Sequence, residues 1–313
     1  MKPRTKTKTT LSRSDTIVST LLMILALLAS SFIVMIAVFI TAQGILPLIT
    51  NNRGLGTVNL WSFLTDTVWL RGDYFVSTLY GAGFLIVNTL YIAFLTVLFS
   101  FPVGVLTALF IARIAPKPIA ATLRTIVELL ASVPSIVFGL VGVGLFLPII
   151  YNFARSLGIN SAGGYSVIGT VFVLALMSIP TITAVAEVSI RQVDDSLAQA
   201  SLALGATPTQ TNFKIVLLAA KSGIFSGAIL AVGRSLGEAT AVALVSGNAR
   251  SGPSFGLFET TATITSTLLQ GLKETVGIDY DIRFTLGILL MIVILLTNAS
   301  LNFVKRKVGR LDA

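Results

Sequence analysis

An arginine and a glutamate lie four residues apart in an otherwise apolar, glycine-rich segment, GRSLGEATAVALVSGN, residues 233–248. A charged side chain at bilayer depth costs about 2.5–3.5 kcal/mol on insertion scales, so it usually faces a polar pathway or a partner. The guanidinium fork of Arg234 has the shape to hold two oxygens of a phosphate or sulfate at once. Glu238, one helical turn away, is suited to weakening such a site or accepting a hydrogen bond from a protonated anion. The alternative is an ion pair between the two that only lowers the cost of insertion.

Two further carboxylates fall inside predicted membrane spans. Glu187 precedes Arg191 by four residues, so it either faces the pathway or forms an ion pair at the membrane boundary. Glu128 lies six residues before Pro134, and it either lines the pathway or bonds to backbone groups that the proline frees. We therefore take Arg234, Glu238, Glu128 and Glu187 as candidate pathway residues.

The composition is that of a membrane protein built from several apolar spans. Of 313 residues, 54% are apolar and 11% are charged, and the mean hydropathy is +0.91; a soluble domain carries about 25% charged residues. The absence of cysteine and histidine excludes disulfides, thiolate metal sites and histidine proton relays. The sequence G-x-x-x-x-G-K-[ST] does not occur, so no P-loop is predicted. We expect no catalytic residue, no metal site and no cofactor.

Six apolar stretches of about 20 residues predict an all-α, polytopic fold. The first is longer than the apolar region of a signal peptide and is interpreted as a retained helix. Gly223 with Gly227 and Gly233 with Gly237 are typical of helix faces that pack closely. The predicted spans lie at 17–41, within 79–112, within 119–150, and at 166–188, 222–246 and 284–304.

Basic residues are distributed unevenly between the two sides of these spans. If the N-terminus is cytoplasmic, 15 of the 22 basic residues fall on the cytoplasmic side and 6 on the other, with Arg234 inside the membrane. This is the positive-inside pattern, and it places both termini in the cytoplasm. It also explains the formal charge of +9 without a nucleic-acid partner.

The spans divide the chain into a basic cytoplasmic N-terminus (1–16), a first helix, a core from 79 to 304 and a cytoplasmic tail (305–313). Two external segments, 44–78 and 248–283, are long enough to have structure of their own. The first contains both tryptophans, Trp61 and Trp69, which favour the membrane interface. The second is polar, and it either contacts an external partner or is a solvated loop.

The cytoplasmic connector, residues 191–221, is too long for a simple turn. Asp194 offers a cap for one short helix, and Gly205 suits the end of that helix, where φ is positive. Thr207, Pro208 and Gln210 then match a capping box at the start of a second helix. The connector is interpreted as two short helices, which either dock a cytoplasmic partner or form an interfacial linker.

These residues identify a resemblance to the permeases of ABC importers. Gln199, Ala200 and Ser201 precede Gly205 at the spacing of the EAA-type loop. ELLASVPSIVFGL (128–140), SLALGAT (201–207), GRSLGEATAVALVSGN (233–248) and TLGILLMIVILLTN (285–298) are similar to phosphate-specific (Pst) permeases of the C type. The sequence departs from the loop's pattern at three positions, where Gln199 replaces a glutamate and Asp194 and Leu218 replace prolines.

The resemblance implies a MetI-like permease in the inner (cytoplasmic) membrane of a prokaryote. Such a subunit pairs with a sister permease of the A type to form one pathway. Two cytoplasmic ATPase subunits bind the coupling loops, and an external phosphate-binding protein delivers substrate. An ABC permease for sulfate, molybdate or phosphonate remains open as an alternative, as does an ion-coupled secondary carrier that uses Glu187, Arg234 and Glu238 as a relay.

Overall fold

The computed structural model describes residues 13–50, 56–70, 80–272 and 274–310. The predicted N-terminus up to residue 12, three basic residues of the predicted external side and parts of the first external segment lie outside these ranges. Those three residues are Arg53, Arg71 and Lys273.

The described chain is almost entirely helical, which confirms the all-α prediction, and its few β-bridges are isolated. Three short π-helical turns, at Phe110–Ile114, Gly142–Phe146 and Asn212–Val216, continue or join α-helices. The helices are α1 (Arg13–Ile49), α2 (Leu60–Thr65), α3 (Gly83–Leu109), α4 (Lys117–Ser132), α5 (Ser135–Val141), α6 (Leu147–Ser156), α7 (Val167–Arg191), α8 (Asp195–Ala203), α9 (Pro208–Thr211), α10 (Leu217–Ala219), α11 (Lys221–Gly237), α12 (Thr240–Val245), α13 (Ile264–Leu269) and α14 (Ile278–Arg310).

Within the described residues, five helical segments are long and apolar enough to cross a membrane, and a bent pair makes a sixth. The bent pair joins Pro208–Ala219 to Lys221–Gly237 at an angle of 68°. We call the end of the bundle that carries α8 and α9 the connector end, and the opposite end, which carries α2 and α13, the loop end. The five segments are Ile17–Ile49, Gly83–Ile114, Ser135–Ser156, Val167–Arg191 and Ile278–Lys307.

The centre of the bundle is a close three-helix contact between α3, α7 and α11. Glycines make this approach possible: a Cβ at Gly104 of α3 would lie 2.7 Å from the side chain of Ile182, and one at Gly223 of α11 would lie 2.6 Å from Ser189 Cβ. The hydroxyl of Thr183 donates a 3.2 Å hydrogen bond to the Gly104 carbonyl across the same contact. Small residues and hydroxyls are the usual means by which membrane helices associate, since lipid offers no hydrophobic drive between them.

Two of the predicted spans are interrupted. The stretch predicted as a span within 119–150 divides at Val133, which is extended because a residue before proline is disfavoured in the α conformation. Pro134 then begins α5, and α4 on the other side of the break packs against α7. The stretch predicted at 222–246 unwinds at Glu238, which has φ −76° and ψ 117°, between α11 and α12.

At the loop end, an apolar cluster joins α2 to the ends of α3 and α14. Phe63, Trp69, Phe84 and Ile282 are among its buried members. Trp69 is only 7% exposed and lies edge-on to Phe63 and Tyr80, with ring centroids 6.4 and 5.3 Å away. The prediction that both tryptophans lie at the membrane interface stays a prediction, and Trp69 is enclosed by the protein instead of presenting its ring to lipid.

The predicted external segment 248–283 is ordered against the bundle where it is described. Its carbonyls at Glu259 and Leu257 accept hydrogen bonds of 2.9 Å from the backbone N–H groups of Val167 and Ile168, the first residues of α7. Ser166 caps the same helix through Gly169 N–H. The free donors at the start of a central helix are thus satisfied by the loop rather than by water.

Helix α1 lies at the side of the bundle and packs against α14. A Cβ at Gly44 would lie 2.6 Å from the Phe284 backbone, and the Thr285 hydroxyl donates to the Gly44 carbonyl at 2.7 Å. Most of the α1 surface is exposed and apolar, as is expected of a helix that contacts lipid or another subunit.

We predict that Gly223→Ala lowers the free energy of unfolding by about 1–3 kcal/mol, because the added methyl group collides with Ser189 in the tight α7–α11 contact. The matched control is Gly233→Ala on the same helix, where a Cβ would meet nothing beyond its own helix backbone within 4 Å among the described residues. An SDS titration of both variants in detergent micelles measures the difference. Equal stability of the two variants would contradict the packing described here.

Candidate functional site

The candidate site forms where α11 ends and the chain unwinds. Gly233 and Gly237 weaken the helix there, since glycine is about 1 kcal/mol less favourable than alanine in a helix interior. The Glu238 carboxylate accepts a 3.1 Å hydrogen bond from Ala241 N–H and so caps the start of α12. The Glu238 carbonyl, left without a helical donor, accepts a 2.8 Å bond from the hydroxyl of Thr265. The helix break at Glu238 is therefore stabilised by hydrogen bonds from Ala241 and Thr265.

Arg234 lies one turn before this break, about 20 Å along α11 from Lys221 at 1.5 Å per residue. Its Nη1 donates a 3.2 Å hydrogen bond to the hydroxyl of Thr181, which follows Pro180 in α7. The side chain is half-buried, as is that of Glu238. The structure places the guanidinium in the middle of the bundle and anchors it through one neutral contact.

Arg234 and Glu238 do not form an ion pair: no carboxylate within the described ranges lies within 4.0 Å of the Arg234 guanidinium. The alternative in which the two side chains neutralise each other is therefore not the observed geometry. The reason is local, because the helix unwinds before Glu238 completes the i to i+4 turn, and its carboxylate turns to the N-terminus of α12 instead.

One face of α11 near the break is open. Cβ atoms at Gly233 and Gly237 would meet nothing beyond their own helix backbone within 4 Å, and Leu230 on the same stripe is exposed. The opposite face, which includes Ala231 and Ser235, is buried against the bundle. The sequence predicts close helix packing at both glycine pairs. Among the described residues, an added Cβ would meet another part of the chain within 4 Å at Gly223 and Gly227, but not at Gly233 and Gly237.

A second charged cluster lies near the connector end. Glu187 of α7 is 6% exposed and accepts hydrogen bonds from two arginines, Arg191 Nε at 2.8 Å and Arg124 Nε at 3.1 Å. The pair with Arg191 that the spacing predicts is present. Arg124 on α4 adds a second contact that sequence spacing did not reveal, because it comes from a helix 63 residues away. Both arginines are half-exposed, so each keeps part of its guanidinium open to solvent beside the shared carboxylate.

Glu128 lies on α4, beyond the break at Val133, and its side chain is exposed. The prediction that placed it inside a span rested on reading 119–150 as one continuous helix. The structure brings it near Arg124, one turn earlier on α4, and no ion pair joins it to Arg234 within the described ranges.

The connector has the predicted pair of short helices. The Asp194 carboxylate caps α8 by accepting Ser196 N–H at 2.8 Å, which lowers the pKa of Asp194, so this cap is lost only as pH falls through the lowered value. Gly205 follows α8 with φ +85°, and the Thr207–Gln210 capping box begins α9. Ser201 and Thr211 join the two helices through their hydroxyls, 2.9 Å apart.

Arg113, at the connector end of α3, fixes this element to the bundle. Its Nη1 pairs with Asp195 at 2.6 Å, and its Nη2 donates to the carbonyls of Val193 at 3.1 Å and Ile190 at 3.4 Å. A single arginine thus ties the end of α7 and the start of α8 to α3. The sequence does not predict this anchoring role, because Arg113 is there only one of the 15 basic residues that place the connector end in the cytoplasm.

No residue of helix α8 is fully buried, although Ala198 packs against the apolar cluster that contains Ile190 and Val216. Gln199 and Ala200 are exposed, and Leu204, beside Gly205, is 90% exposed. Exposed apolar side chains on an anchored helix are typical of an interaction surface. Within the described ranges, no group of three or more acidic side chains could hold a metal ion.

Comparison with known proteins identifies a family. Residues 100–310 match the family described as "binding-protein-dependent transport system inner membrane component". The chain is 31% identical over 186 residues to a probable ABC transporter permease protein, YqgH, of Bacillus subtilis, covering 59% of this chain and 58% of that protein. It is 29% identical over 219 residues to the phosphate transport system permease protein PstC of Pasteurella multocida, covering 64% and 68%.

Solved structures share the fold. A bacterial ABC transporter involved in the import of alginate superposes with a TM-score of 0.60 at 19% identity, covering 95% of this chain and 99% of that chain. The MetNI methionine ABC transporter superposes with a TM-score of 0.53 at 21% identity, covering 72% and 93%. At these identities the likeness establishes the permease fold alone.

We predict that Glu187→Gln lowers the free energy of unfolding by about 1–2 kcal/mol. The change leaves two arginines without their carboxylate, and the loss is smaller than the roughly 3–5 kcal/mol for a fully buried pair because both reach solvent. Glu128→Gln, on the exposed face of α4, is the matched control and should change stability little. SDS titration in detergent micelles measures both, and an unchanged Glu187→Gln protein would show that the cluster does not hold α4 to α7.

Proposed function

The chain belongs to the binding-protein-dependent transport system inner membrane component family, and we propose that it carries inorganic phosphate as one half of an ATP-driven importer. Its membrane is the inner membrane of a prokaryote, with the connector end in the cytoplasm. The observation that carries the proposal is Arg234, a cation in the middle of the bundle, without a carboxylate partner in the described chain, beside an open helix face.

Arg234 supplies what an oxyanion needs at bilayer depth. Thr181 takes one N–H of the guanidinium, and the remaining donors are available to phosphate oxygens. Hydrogen bonds to charged groups are worth about 1.5–3 kcal/mol each, enough to draw a hydrated anion into the site. The relatives named as phosphate permeases support phosphate as the anion, whereas a guanidinium alone would accept sulfate equally well.

Glu238 limits how tightly the anion is held. Its carboxylate is fixed at the start of α12 by Ala241 N–H, one turn beyond Arg234. Negative charge there opposes a fully ionised phosphate and accepts a hydrogen bond from a protonated one. A transport site must release its substrate, so a weak site serves better than a trap.

The Glu187 cluster lies further along the proposed pathway, toward the cytoplasm. Two half-exposed guanidiniums share the carboxylate of Glu187, and the N–H groups that it leaves unbonded would meet an anion leaving the bundle. Glu187 thereby positions Arg124 and Arg191 rather than meeting the anion itself. Glu128, exposed on α4 beside this cluster, would form the rim of the exit.

The connector transmits force from partner subunits. We propose that two cytoplasmic ATPase subunits bind the connectors of this chain and of a sister permease of the A type, and that an external phosphate-binding protein meets the loop end. Gln199, Ala200, Ser201 and Gly205 belong to the docking element. Because Arg113 ties α8 to α3 and α7, a push on α8 moves the helices that surround Arg234. ATP hydrolysis itself belongs to the partners.

We predict that Arg234→Gln reduces labelled-phosphate uptake about ten- to hundredfold, the equivalent of one charged hydrogen bond of about 1.5–3 kcal/mol. The assay uses cells that lack their own phosphate importers and carry the complete transporter at matched membrane levels. Arg155→Gln, an exposed arginine on α6, is the control and should transport normally.

Excess sulfate as a competitor identifies the anion in the same assay. Uptake that resists sulfate supports phosphate, and uptake that sulfate suppresses assigns the pathway to a different oxyanion. Normal transport by the Arg234→Gln protein would make the arginine structural and remove the site.

We predict that Leu204→Asp weakens co-purification of the ATPase subunit about ten- to hundredfold, since burying a leucine stabilises a contact by about 1.5–3 kcal/mol. Leu204 is 90% exposed, so the permease itself should fold and insert normally. Leu157→Asp, exposed at the other end of the bundle, is the control. If both variants retain the ATPase equally, the exposed side of the connector is not its binding surface.

A further inference from the structure

Trp61 on α2 is a large side chain that the fold leaves outside its core. It is 74% exposed, Leu60 beside it is also exposed, and α2 carries no charged residue. Asn59 fixes the helix by accepting hydrogen bonds from Trp61 N–H at 2.8 Å and Ser62 N–H at 3.2 Å. In the described part of the chain, no residue accepts a hydrogen bond from the indole N–H. The indole is thus held outward with its polar edge available.

Backbone hydrogen bonds to the start of a membrane span fix the position of α2 along the bundle axis. The Phe63 carbonyl accepts Ala82 N–H at 2.6 Å, and the Asp66 carbonyl accepts Gly83 N–H at 3.1 Å. Gly83 is the first residue of α3 and of the span Gly83–Ile114. Helix α2 therefore lies level with the first turn of that span.

Two other spans meet α2 at the same level. Phe63 is buried in the cluster that contains Ile282 and Leu286, which lie in the first turns of α14, and Leu48 from the last turn of α1 packs against that cluster. Three span ends thus surround the inner face of α2. Phe63 and Trp61 are two residues apart on a helix, so their side chains point in nearly opposite directions, and the exposed face of α2 points away from the bundle.

We propose that α2 is an interfacial anchor, with Trp61 and Leu60 inserted among the lipid headgroups and upper acyl chains at the loop end. Its position at the ends of three spans places the indole where a tryptophan is most favourable, with its apolar ring in the lipid and its N–H bonded to headgroup oxygens or water. The anchor holds the loop end at a fixed depth. This inference does not depend on the transported substrate.

The chain has two tryptophans, which makes a direct test possible. The full-length Trp69→Phe protein, in which Trp61 is the fluorophore, is reconstituted into phosphatidylcholine vesicles whose chains are brominated either near the ester or near the methyl end. Bromine quenches tryptophan only at close range. We expect strong quenching by the bromines near the ester, weaker quenching by the deeper bromines and little quenching by aqueous acrylamide.

The Trp61→Phe protein is the matched control, because its remaining fluorophore, Trp69, is 7% exposed and enclosed by Phe63 and Tyr80. Its quenching by either lipid should be much weaker. If the Trp69→Phe protein does not fold, the quenching of Trp61 is obtained instead as the difference in quenching between the native and the Trp61→Phe proteins. Trp61 fluorescence that acrylamide quenches and brominated lipid does not would overturn the proposal. If Trp61 is shielded from acrylamide only when the external binding protein is present, the exposed face of α2 contacts that protein and not lipid, which would also overturn the proposal.

Discussion

The break between α11 and α12 is the constraint on which the rest of the structure depends. Inside a bilayer, every backbone polar group that leaves a helix must find a partner in the protein, since lipid offers none. Here the Glu238 side chain takes the Ala241 N–H, and Thr265 donates to the Glu238 carbonyl. Because the Glu238 carboxylate is bonded to the Ala241 N–H at the start of α12, it does not pair with Arg234. The Arg234 guanidinium is then left without a carboxylate partner among the described residues.

The surrounding helices hold this break in place by close packing. Gly104 and Gly223 let α3, α7 and α11 approach until a larger side chain at either position would collide. At the loop end, α13 reaches the break through Thr265, while the predicted external segment caps α7. At the connector end, Arg113 joins α3 to α8. In the proposed mechanism, a movement of the connector would therefore reach Arg234 through packed helices.

Much of this architecture could be predicted from the sequence, because the relevant signals are local. Apolar length predicts the spans, and Asp194, Gly205 and the Thr207–Gln210 capping box predict the connector's two short helices. Where the prediction failed, the cause was either a single local residue or a contact distant in sequence. The apolar character of 119–150 as a whole predicts that Glu128 lies in a span, whereas Pro134 alone breaks the helix there.

The partners of the charged residues were likewise hidden from the sequence. Spacing indicated Arg234 with Glu238 and Glu187 with Arg191, but the first pair is separated by the break and the second is joined by Arg124 from another helix. Trp69 shows the same limit, since only the folded loop end reveals that Tyr80 and Phe63 enclose it.

The most direct test of the account is whether water and substrate reach the open face beside Arg234. The chain contains no cysteine, so Gly237→Cys introduces a single thiol at the break and Leu295→Cys a control on the exposed side of α14. In the assembled transporter, a charged, membrane-impermeant thiol reagent should modify the Gly237→Cys protein, phosphate should slow the reaction, and the Leu295→Cys protein should not react. A Gly237→Cys protein that stays unreactive in every state would contradict a pathway at Arg234.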